Sequence, residues 1–343
     1  MTNSKWRMAN SEWRKAMSAL YLTEQGAVLR RVGERLVVTK DHQVLEDVPI
    51  IHVDQVVVMG NIQLTTPVVT LLLQRDVDVV YLSSRGKFRG RLMTTGSKFA
   101  QLRHQQLRLM NDEKAVLAIA RELVVAKLEN QAHLLERLGA QGSAREIRGD
   151  GNKARQAATV EVLRGHEGAA GARYFTALRR LIPGEWGFTK RIYHPPTDPV
   201  NALLSLGYTL LLKDATAAVQ LVGLDPFMGF FHAMDYGRPS LTLDVMEPFR
   251  PLVDGLVLGW IAEGKVSPGD FQSARKKDGA VLLNDDARTR YFGTYEQQME
   301  KRALYPPTGE RTSFRRCLEL QARQLAQVLL EKRGRFEAFR MGT

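Results

Sequence analysis

The chain has 343 residues, 44% hydrophobic and 25% charged, which are the proportions of a globular protein long enough for two domains. Its 49 lysines and arginines outnumber 37 acids, and the net charge of +12 favours a polyanionic partner, with nucleic acid ahead of an anionic membrane surface. A single cysteine, Cys317, excludes an internal disulfide and a cysteine-based zinc site. No run of eighteen apolar residues occurs, so we expect a cytoplasmic protein without a membrane span.

Short β-rich runs follow one another from residue 18 to about residue 95. They are ALYLT, AVLRRV, RLVVT, IIHVDQVVVMG and VDVVYL, separated by turn-like segments such as EQG and GER. This pattern predicts a small β-domain of hairpins. One helix is expected within it at TTPVVTLLLQRD, where a proline precedes a leucine run. Residues 1–17 form an N-terminal extension to which the sequence assigns no role.

The hydrophobic period becomes helical from residue 96 to residue 343. Two helices are expected first, with a break at Asn111 and Asp112. Arg121, Lys127 and Asn130 recur on the second of them, and a solvated helix face is the simplest explanation. The Gly-rich segment GAQGSAREIRGDGN is expected to be an exposed loop.

Five further helices complete the expected domain, and a polar stretch without a helical pattern separates the last two. They are expected at residues 154–165, 167–181, 199–222, 245–264 and 312–332. The predicted fold class is therefore α+β, with a small β-domain over residues 18–95 and a larger, all-α domain over residues 96–343.

A histidine and two acids lie close together in GFFHAMDYGRPSLTLDVMEPFRP, residues 229–251. His232, Asp244 and Glu247 fall within sixteen residues, and an imidazole with two carboxylates can hold a divalent cation. Purely structural roles are also compatible with these residues. The spacing of Asp244 and Glu247 fits a capping box, and a histidine after two phenylalanines is often a core residue.

Glu167, in the segment EGAAGARYF, could supply a further oxygen to a metal site. The small residues after it would allow close approach of a backbone or a ligand. A first-turn acid that is favourable to the helix dipole is an equally good explanation. Arginines around these acids suit phosphate oxygens, and they include Arg173, Arg191, Arg238 and Arg250.

Several runs stand in a distinctive order along the chain: EGAAGARYF, FTKRIYHPPTDPVNALLSLGYTLL and GLDPFMGFFHAMDYGRPSLTLDVMEPFRP. RELVVAKLENQAHLL precedes them and GAVLLNDDARTRYFGTYE follows them. Together they resemble the CRISPR-associated adaptation integrase family, the first of the two universal adaptation subunits. The resemblance covers roughly residues 18–340.

The resemblance implies a β-sandwich-like N-terminal domain for dimerisation and an α-helical catalytic domain. It implies Mg²⁺ or Mn²⁺ held by Glu167, His232 and Glu247, although many family members have Asp where this chain has Glu247. It places Asp244, Asn201 and Arg238 in supporting roles. The candidates for DNA contact are Arg173, Arg191 and Arg250.

The expected function is a metal-dependent DNA integrase and endonuclease. A 3′-hydroxyl of double-stranded DNA with single-stranded 3′ ends would attack the CRISPR repeat in a transesterification. The resemblance implies a homodimer that joins a second adaptation subunit in a heterohexamer. The alternatives are a non-catalytic basic nucleic-acid binder, a metal-dependent hydrolase of small phosphate esters and a related transposon-encoded integrase.

Overall fold

The computed structural model describes residues 19–53, 55–83, 88–92, 99–192, 195–273 and 280–342. The chain divides between Ser97 and Lys98 into two compact units. The expected extension at residues 1–17 and the expected boundary near residue 95 lie outside the described residues. The fold class is confirmed as α+β, because strands fill the first unit and helices dominate the second.

The first unit contains two four-stranded sheets and one helix within its described residues. One sheet has the order β1-β5-β7-β8 and the other β4-β3-β2-β6. The elements are β1 (Ala19–Leu22), β2 (Val28–Val32), β3 (Arg35–Lys40), β4 (Gln43–Pro49), β5 (Gln55–Met59), β6 (Gln63–Leu64), α1 (Thr66–Gln74), β7 (Asp78–Leu82) and β8 (Phe88–Leu92).

The hairpin prediction holds for only part of this unit. Strands β2, β3 and β4 are antiparallel neighbours as expected, but β5 pairs in parallel with both β1 and β7. Parallel strands need a long crossover, and the predicted helix α1 lies in the connection between β5 and β7. Alternating apolar residues of both sheets, such as Leu29, Val56 and Val79, form one core with Leu72 of α1.

The second unit is built mainly of helices. They are α2 (Ala100–Leu109), α3 (Glu113–Arg137), α4 (Gln141–Arg155), α5 (Val160–Leu181), α6 (Pro199–Val222), α7 (Ser240–Met246), α8 (Arg250–Ala262), α9 (Asp285–Glu300) and α10 (Phe314–Leu329). Two short antiparallel pairs add to the expected helices, β9 (Phe271–Ser273) with β10 (Val281–Leu283) and β11 (Arg302–Tyr305) with β12 (Glu310–Ser313). The expected break before α3 is confirmed, since Asp112 caps that helix by accepting from the N–H groups of Lys114 and Ala115.

Two polar segments are helical where no helix is expected. The segment predicted as a loop forms α4, which buries Ala144, Ile147, Gly151 and Ala154 at spacings of three and four. Its seam is made of small residues, so hydrophobicity alone does not reveal it. Helix α9 likewise buries one residue in four, an aromatic and alanine stripe too sparse to stand out in a polar sequence.

Helix α5 is continuous from Val160 to Leu181, so the expected break at residue 166 is wrong. Thr159 caps this helix, accepting from the N–H of Val162. Glu167 therefore lies two turns inside the helix, and the first-turn explanation for it is wrong.

By its length and composition helix α6 could cross a membrane, but 56% of its most apolar 18-residue stretch is buried within the protein. It packs against α7, α8 and α10, as a core helix does. This helix, α3 and α5 form the frame around the acids singled out by the sequence.

Candidate active site

Asp244 fixes the segment that carries His232. The carboxylate is fully buried, and it accepts hydrogen bonds from the backbone N–H groups of Phe230, Phe231 and His232 at 2.5, 2.9 and 2.9 Å. It also lies 2.7 Å from the Nδ1 of His232. Asp244 is therefore no helix cap, and the capping-box explanation is wrong. Because Nδ1 is held by a carboxylate, Nε2 is the ring nitrogen of His232 that can accept a hydrogen bond or bind a cation.

Gly229 makes this clamp sterically possible. A Cβ at this position would lie 2.7 Å from the carbonyl carbon of Ser240 and 2.9 Å from Oδ2 of Asp244. Any larger residue would push α7 away from the Phe230 and Phe231 amides. The close approach of Ser240 and Asp244 to this backbone therefore requires glycine at position 229.

Glu247 lies where α7 ends in a short 3-10 turn, residues 247–249, that contains Pro248. Its side chain is only 3% exposed, and Oε1 accepts a hydrogen bond of 2.7 Å from Nε of Arg250. The same Oε1 lies 3.8 Å from Nε2 of His232. His232 is itself 16% exposed, so the imidazole edge is open to solvent while the carboxylate is buried.

Lys127 of α3 brings Glu167 and Glu247 together. Its ammonium Nζ lies 2.5 Å from Oε1 of Glu167 and 2.6 Å from Oε2 of Glu247. Burial alone would lower the pKa of Lys127, but the charges of Glu247 and Glu167 outweigh it and raise the pKa, so the ammonium stays charged. The expected solvated helix face is therefore wrong for Lys127, which is 8% exposed, and for Asn130, which is 1% exposed.

The charges around Glu247 decide its ionisation. Burial by itself would raise the pKa of this carboxyl, but Arg250, Lys127 and His232 together lower it to about 2. A carboxyl whose folded-state pKa is depressed stabilises the fold above its unfolded pKa, near 4.5, and that stabilisation is lost as pH falls toward 2.

Replacing Glu247 by Gln should therefore have a pH-dependent cost. We expect wild type to lose about 3 kcal/mol of its advantage in free energy of unfolding over Glu247→Gln between pH 6 and pH 2. The Glu247 carboxylate of wild type is protonated over this range, whereas the glutamine of the variant carries no charge at any pH. Urea unfolding across this range measures it, with the exposed Glu146→Gln as the matched control. A difference that is constant with pH would show that the carboxylate is not held by these cations.

The donor set suits Mg²⁺ or Mn²⁺, which bind carboxylate oxygens and tolerate an imidazole. Oε2 of Glu247 is buried, and it lies 2.6 Å from the Lys127 ammonium, so this oxygen already contacts a cation. Among the described residues, however, no three His, Cys, Asp or Glu side chains are gathered into a ready metal cluster. The Lys127 ammonium instead lies between the two carboxylates, and it shows that the site accommodates positive charge.

The other candidates from the sequence have varied surroundings. Asn201, fully buried at the start of α6, accepts from Nη1 of Arg191 at 2.8 Å and from the N–H of Ile192 at 2.9 Å, and thereby shapes the preceding loop. Arg191 and Arg250 both lie over the ring of Tyr208, at 5.3 and 4.9 Å from its centroid. The loop of Arg191 is thus joined to the arginine that holds Glu247.

Arg173 and Arg238 differ in their freedom to meet a ligand. Arg173 makes a two-pronged ion pair with the buried Asp150 of α4, at 2.7 and 2.6 Å, which ties α4 to α5. Arg238 is exposed on the loop that follows His232. Of the predicted arginines, Arg173 and Arg250 therefore have internal carboxylate partners, whereas Arg238 is exposed to solvent.

The sequence patterns assigned no role to Arg164 and predicted only a solvated helix position for Lys127. Arg164, one turn before Glu167, donates to the carbonyl of Phe231 at 3.1 and 2.6 Å, and so joins the helix of Glu167 to the segment of His232. Lys127 had one recognisable signal, since a lysine within the apolar run LVVAKLENQA is out of place unless it is paired.

The family model for the CRISPR associated protein Cas1 matches residues 20–297. The chain is 36% identical to the CRISPR-associated endonuclease Cas1 3 of Thermus thermophilus, over 94% of this chain and 97% of that protein. It is 37% identical to a CRISPR-associated exonuclease Cas4/endonuclease Cas1 fusion of Geobacter sulfurreducens, over 90% of this chain. The match covers 58% of that fusion protein, so the chain spans little more than half of its length.

Solved structures share the fold. A casposase bound to integration product superposes with a TM-score of 0.83 at 24% identity, covering 94% of this chain and 98% of that one. A Cas1 protein from Thermotoga maritima gives a TM-score of 0.80 at 23% identity, covering 94% and 98%. A chain of a partial Cas6-RT-Cas1–Cas2 complex gives 0.78 at 25% identity, covering 95% and 100%.

A β-rich unit followed by a mainly helical unit is thus the fold that this chain shares with these solved structures. The chain belongs to the Cas1 family of CRISPR-associated proteins, and the resemblance predicted from the sequence is confirmed. Its curated relatives are named as endonucleases, which supports nuclease or integrase chemistry.

Proposed function

We propose that the protein is a divalent-metal-dependent DNA integrase and endonuclease that joins DNA fragments to a CRISPR repeat. The observation that carries the proposal is the placement of Glu167 and Glu247, from separate elements, around the buried Lys127 ammonium, with Nε2 of His232 3.8 Å from Oε1 of Glu247. Burying carboxylates costs several kcal/mol, which Lys127 and Arg250 offset here, and binding DNA without catalysis does not require such a cluster.

The reaction is a phosphoryl transfer between two DNA strands. The 3′-hydroxyl oxygen of the incoming fragment attacks a phosphorus of the repeat and loses its proton. The bond from that phosphorus to the 3′ oxygen of the repeat strand breaks, and this oxygen leaves as a new 3′-hydroxyl after gaining a proton. Water in place of the fragment's hydroxyl gives hydrolysis, which is the endonuclease activity.

Glu167, His232 and Glu247 would hold Mg²⁺ or Mn²⁺, which when bound stabilises charge on the pentavalent phosphorus and its oxygens. Asp244 keeps His232 in one tautomer with Nε2 toward the site. Arg250 keeps Glu247 ionised at neutral pH. The exposed Arg238, on the loop that follows His232, would contact phosphate oxygens of the bound DNA.

One face of α5 supports close approach of DNA to Glu167. Gly165 and Gly168 are exposed within this helix, and a Cβ at either position would meet nothing within 4 Å. Glycine costs a helix about 1 kcal/mol relative to alanine, and internal packing gives no reason for it here. Because Gly165 and Gly168 have no side chains, a DNA backbone has room to approach the helix at these two positions.

Changing Gly168 separates stability from DNA binding. We expect Gly168→Ala to raise the free energy of unfolding by about 0.5–1 kcal/mol, because alanine favours the helix. Gly168→Leu should be as stable as wild type or more so, yet bind DNA about tenfold more weakly, for a lost contact of roughly 1.4 kcal/mol. Urea unfolding and fluorescence anisotropy measure the two effects. Equal DNA affinity in both variants would remove this face from the interface.

We also propose a homodimer formed through the β-rich unit. Its sheet β4-β3-β2-β6 and the turn after β4 expose large apolar residues, namely Val32 (59%), Val44 (64%), Leu45 (42%) and Ile51 (84%). A second adaptation subunit would bridge such dimers into a heterohexamer, in keeping with the structural neighbour from a Cas1–Cas2 complex. Sedimentation of Ile51→Lys should show monomer where wild type is a dimer.

Salt and metal titrations of strand transfer test the proposed function. With the second subunit present, joining of a fragment to a repeat-containing plasmid should require Mg²⁺ or Mn²⁺. DNA affinity should fall steeply with salt, because several lysines and arginines replace counterions on the phosphates. Joining without divalent metal would contradict the metal site, and a flat salt response would contradict DNA as the substrate.

A further inference from the structure

The segment Phe336–Gly342, more than eighty residues after Glu247, packs against the turn that carries this acid. Phe339 is 0% exposed. Its ring stacks on Phe249, two residues after Glu247, with centroids 4.5 Å apart and planes 10° from parallel.

Two buried amide side chains join Phe339 to the backbone on either side of Glu247. Gln321 of α10, 0% exposed, donates from Nε2 to the carbonyl of Val245 at 2.8 Å and accepts at Oε1 from the N–H of Phe339 at 2.8 Å. Asn130 of α3 donates from Nδ2 to the carbonyls of Pro248 and Phe339 at 2.7 and 3.1 Å. Each amide thus binds one backbone group of Phe339 and one carbonyl beside Glu247.

The backbone at this place needs such support. Helix α7 ends at Met246, and Pro248 and Pro251 have no N–H to continue a helical ladder. Buried carbonyls left without donors cost about 1–3 kcal/mol each, so the amides stabilise one particular path through the turn. Asn130 lies one helical turn from Lys127, and its Oδ1 accepts from the N–H of Met341 at 2.7 Å.

We propose that Phe339, held by Asn130 and Gln321, is a positioning residue for Glu247. The segment around it sets the backbone between Val245 and Pro248, and thereby holds the Glu247 carboxylate beside Lys127 and His232, where it would bind the proposed metal. This inference rests on the proposed function for its catalytic consequence, and on the contacts above for the positioning itself.

Gln321→Met tests the role, and Gln324→Met is its matched control. Methionine keeps the volume of glutamine but has no amide to bind either partner. Gln324, one turn along α10, is also buried and accepts from the N–H of Glu337 at 2.7 Å, so it holds the same segment. No bond of Gln324 to the backbone beside Glu247 occurs among the described residues, so only Gln321→Met should disturb the carboxylate.

We expect Gln321→Met to raise the Kd for Mn²⁺ about tenfold, measured by electron paramagnetic resonance without DNA, and to lower kcat for strand transfer with KM for DNA unchanged. Gln324→Met should lower the unfolding midpoint to a similar extent and keep the wild-type Kd and kcat. A wild-type Kd and kcat in Gln321→Met would overturn the proposal.

A double-mutant cycle keeps the inference testable if the proposed function fails. In urea unfolding, the changes in free energy of unfolding caused by Gln321→Met and Glu247→Gln should be non-additive, because Gln321 holds the backbone that carries Glu247. The changes caused by Gln324→Met and Glu247→Gln should add. Additive effects for Gln321 would overturn the positioning role. A wild-type protein that neither binds Mn²⁺ nor joins DNA would instead overturn the proposed function, while the cycle still decides the positioning.

Discussion

Lys127→Met should lower the stability of the metal-free protein by roughly 3–5 kcal/mol, as breaking a buried ion pair does. Without the ammonium, Glu167 and the buried Glu247 lose the cation that they share, although Arg250 and His232 still lie beside Glu247. A midpoint of thermal unfolding about 10 °C or more below wild type is expected for a domain of this size.

Mn²⁺ should reverse this loss in the Lys127→Met protein. A cation that binds the oxygens now contacting Nζ, at 2.5 and 2.6 Å, must displace the ammonium in wild type but meets no competitor in the variant. The rise in unfolding midpoint on adding Mn²⁺ should therefore be larger for Lys127→Met than for wild type. Lys153→Met, which removes an exposed lysine, is the control. Equal rises would mean that lysine and metal do not share these oxygens.

Asp244→Asn should impair the site through His232. The aspartate accepts hydrogen bonds from three backbone N–H groups and also contacts Nδ1, whereas asparagine has one oxygen and one donor group. In either orientation the asparagine NH₂ group then faces a backbone N–H, and in one of them the imidazole must also change tautomer and lose Nε2 as an acceptor. We expect strand transfer to fall about 10- to 100-fold.

The stability of Asp244→Asn should also fall, by about 1–3 kcal/mol for each buried donor left unpaired. Asp235→Asn is the matched control, since Asp235 lies on the exposed loop after His232 and accepts from the N–H of Tyr236 only locally. Wild-type strand transfer by Asp244→Asn would show that the carboxylate does not set the state of His232.

The sequence predicted those parts of the site that lie close together along the chain. His232, Asp244 and Glu247 fall in one segment, so their residue types alone indicated shared chemistry. Glu167 was a candidate oxygen ligand from its own segment, but a first-turn acid explained it equally well there, and only the family resemblance joined it to His232 and Glu247. The metal and the DNA-contact roles stay predictions.

Other features depend on packing that no local pattern specifies. Lys127 lies on a helix with apolar residues on several sides, and only the placement of Glu167 and Glu247 decides whether it is solvated or buried. The parallel pairing of β5 with β7 depends on the crossover through α1, and its parallel pairing with β1 depends on the connection through β2, β3 and β4, not on strand propensity. Helix α4 is formed by a seam of small residues that becomes apolar surface only against α3 and α5.

Strand transfer by fragments with a 3′-hydroxyl or a 3′-deoxy end tests the central claim most directly. Wild type, with Mn²⁺ and the second subunit, should join only the hydroxyl-ended fragment to a repeat-containing plasmid, and Glu247→Ala should reduce that joining by about 10²-fold or more. Unchanged joining by Glu247→Ala, or joining of the deoxy-ended fragment, would contradict a transesterification that depends on this acid.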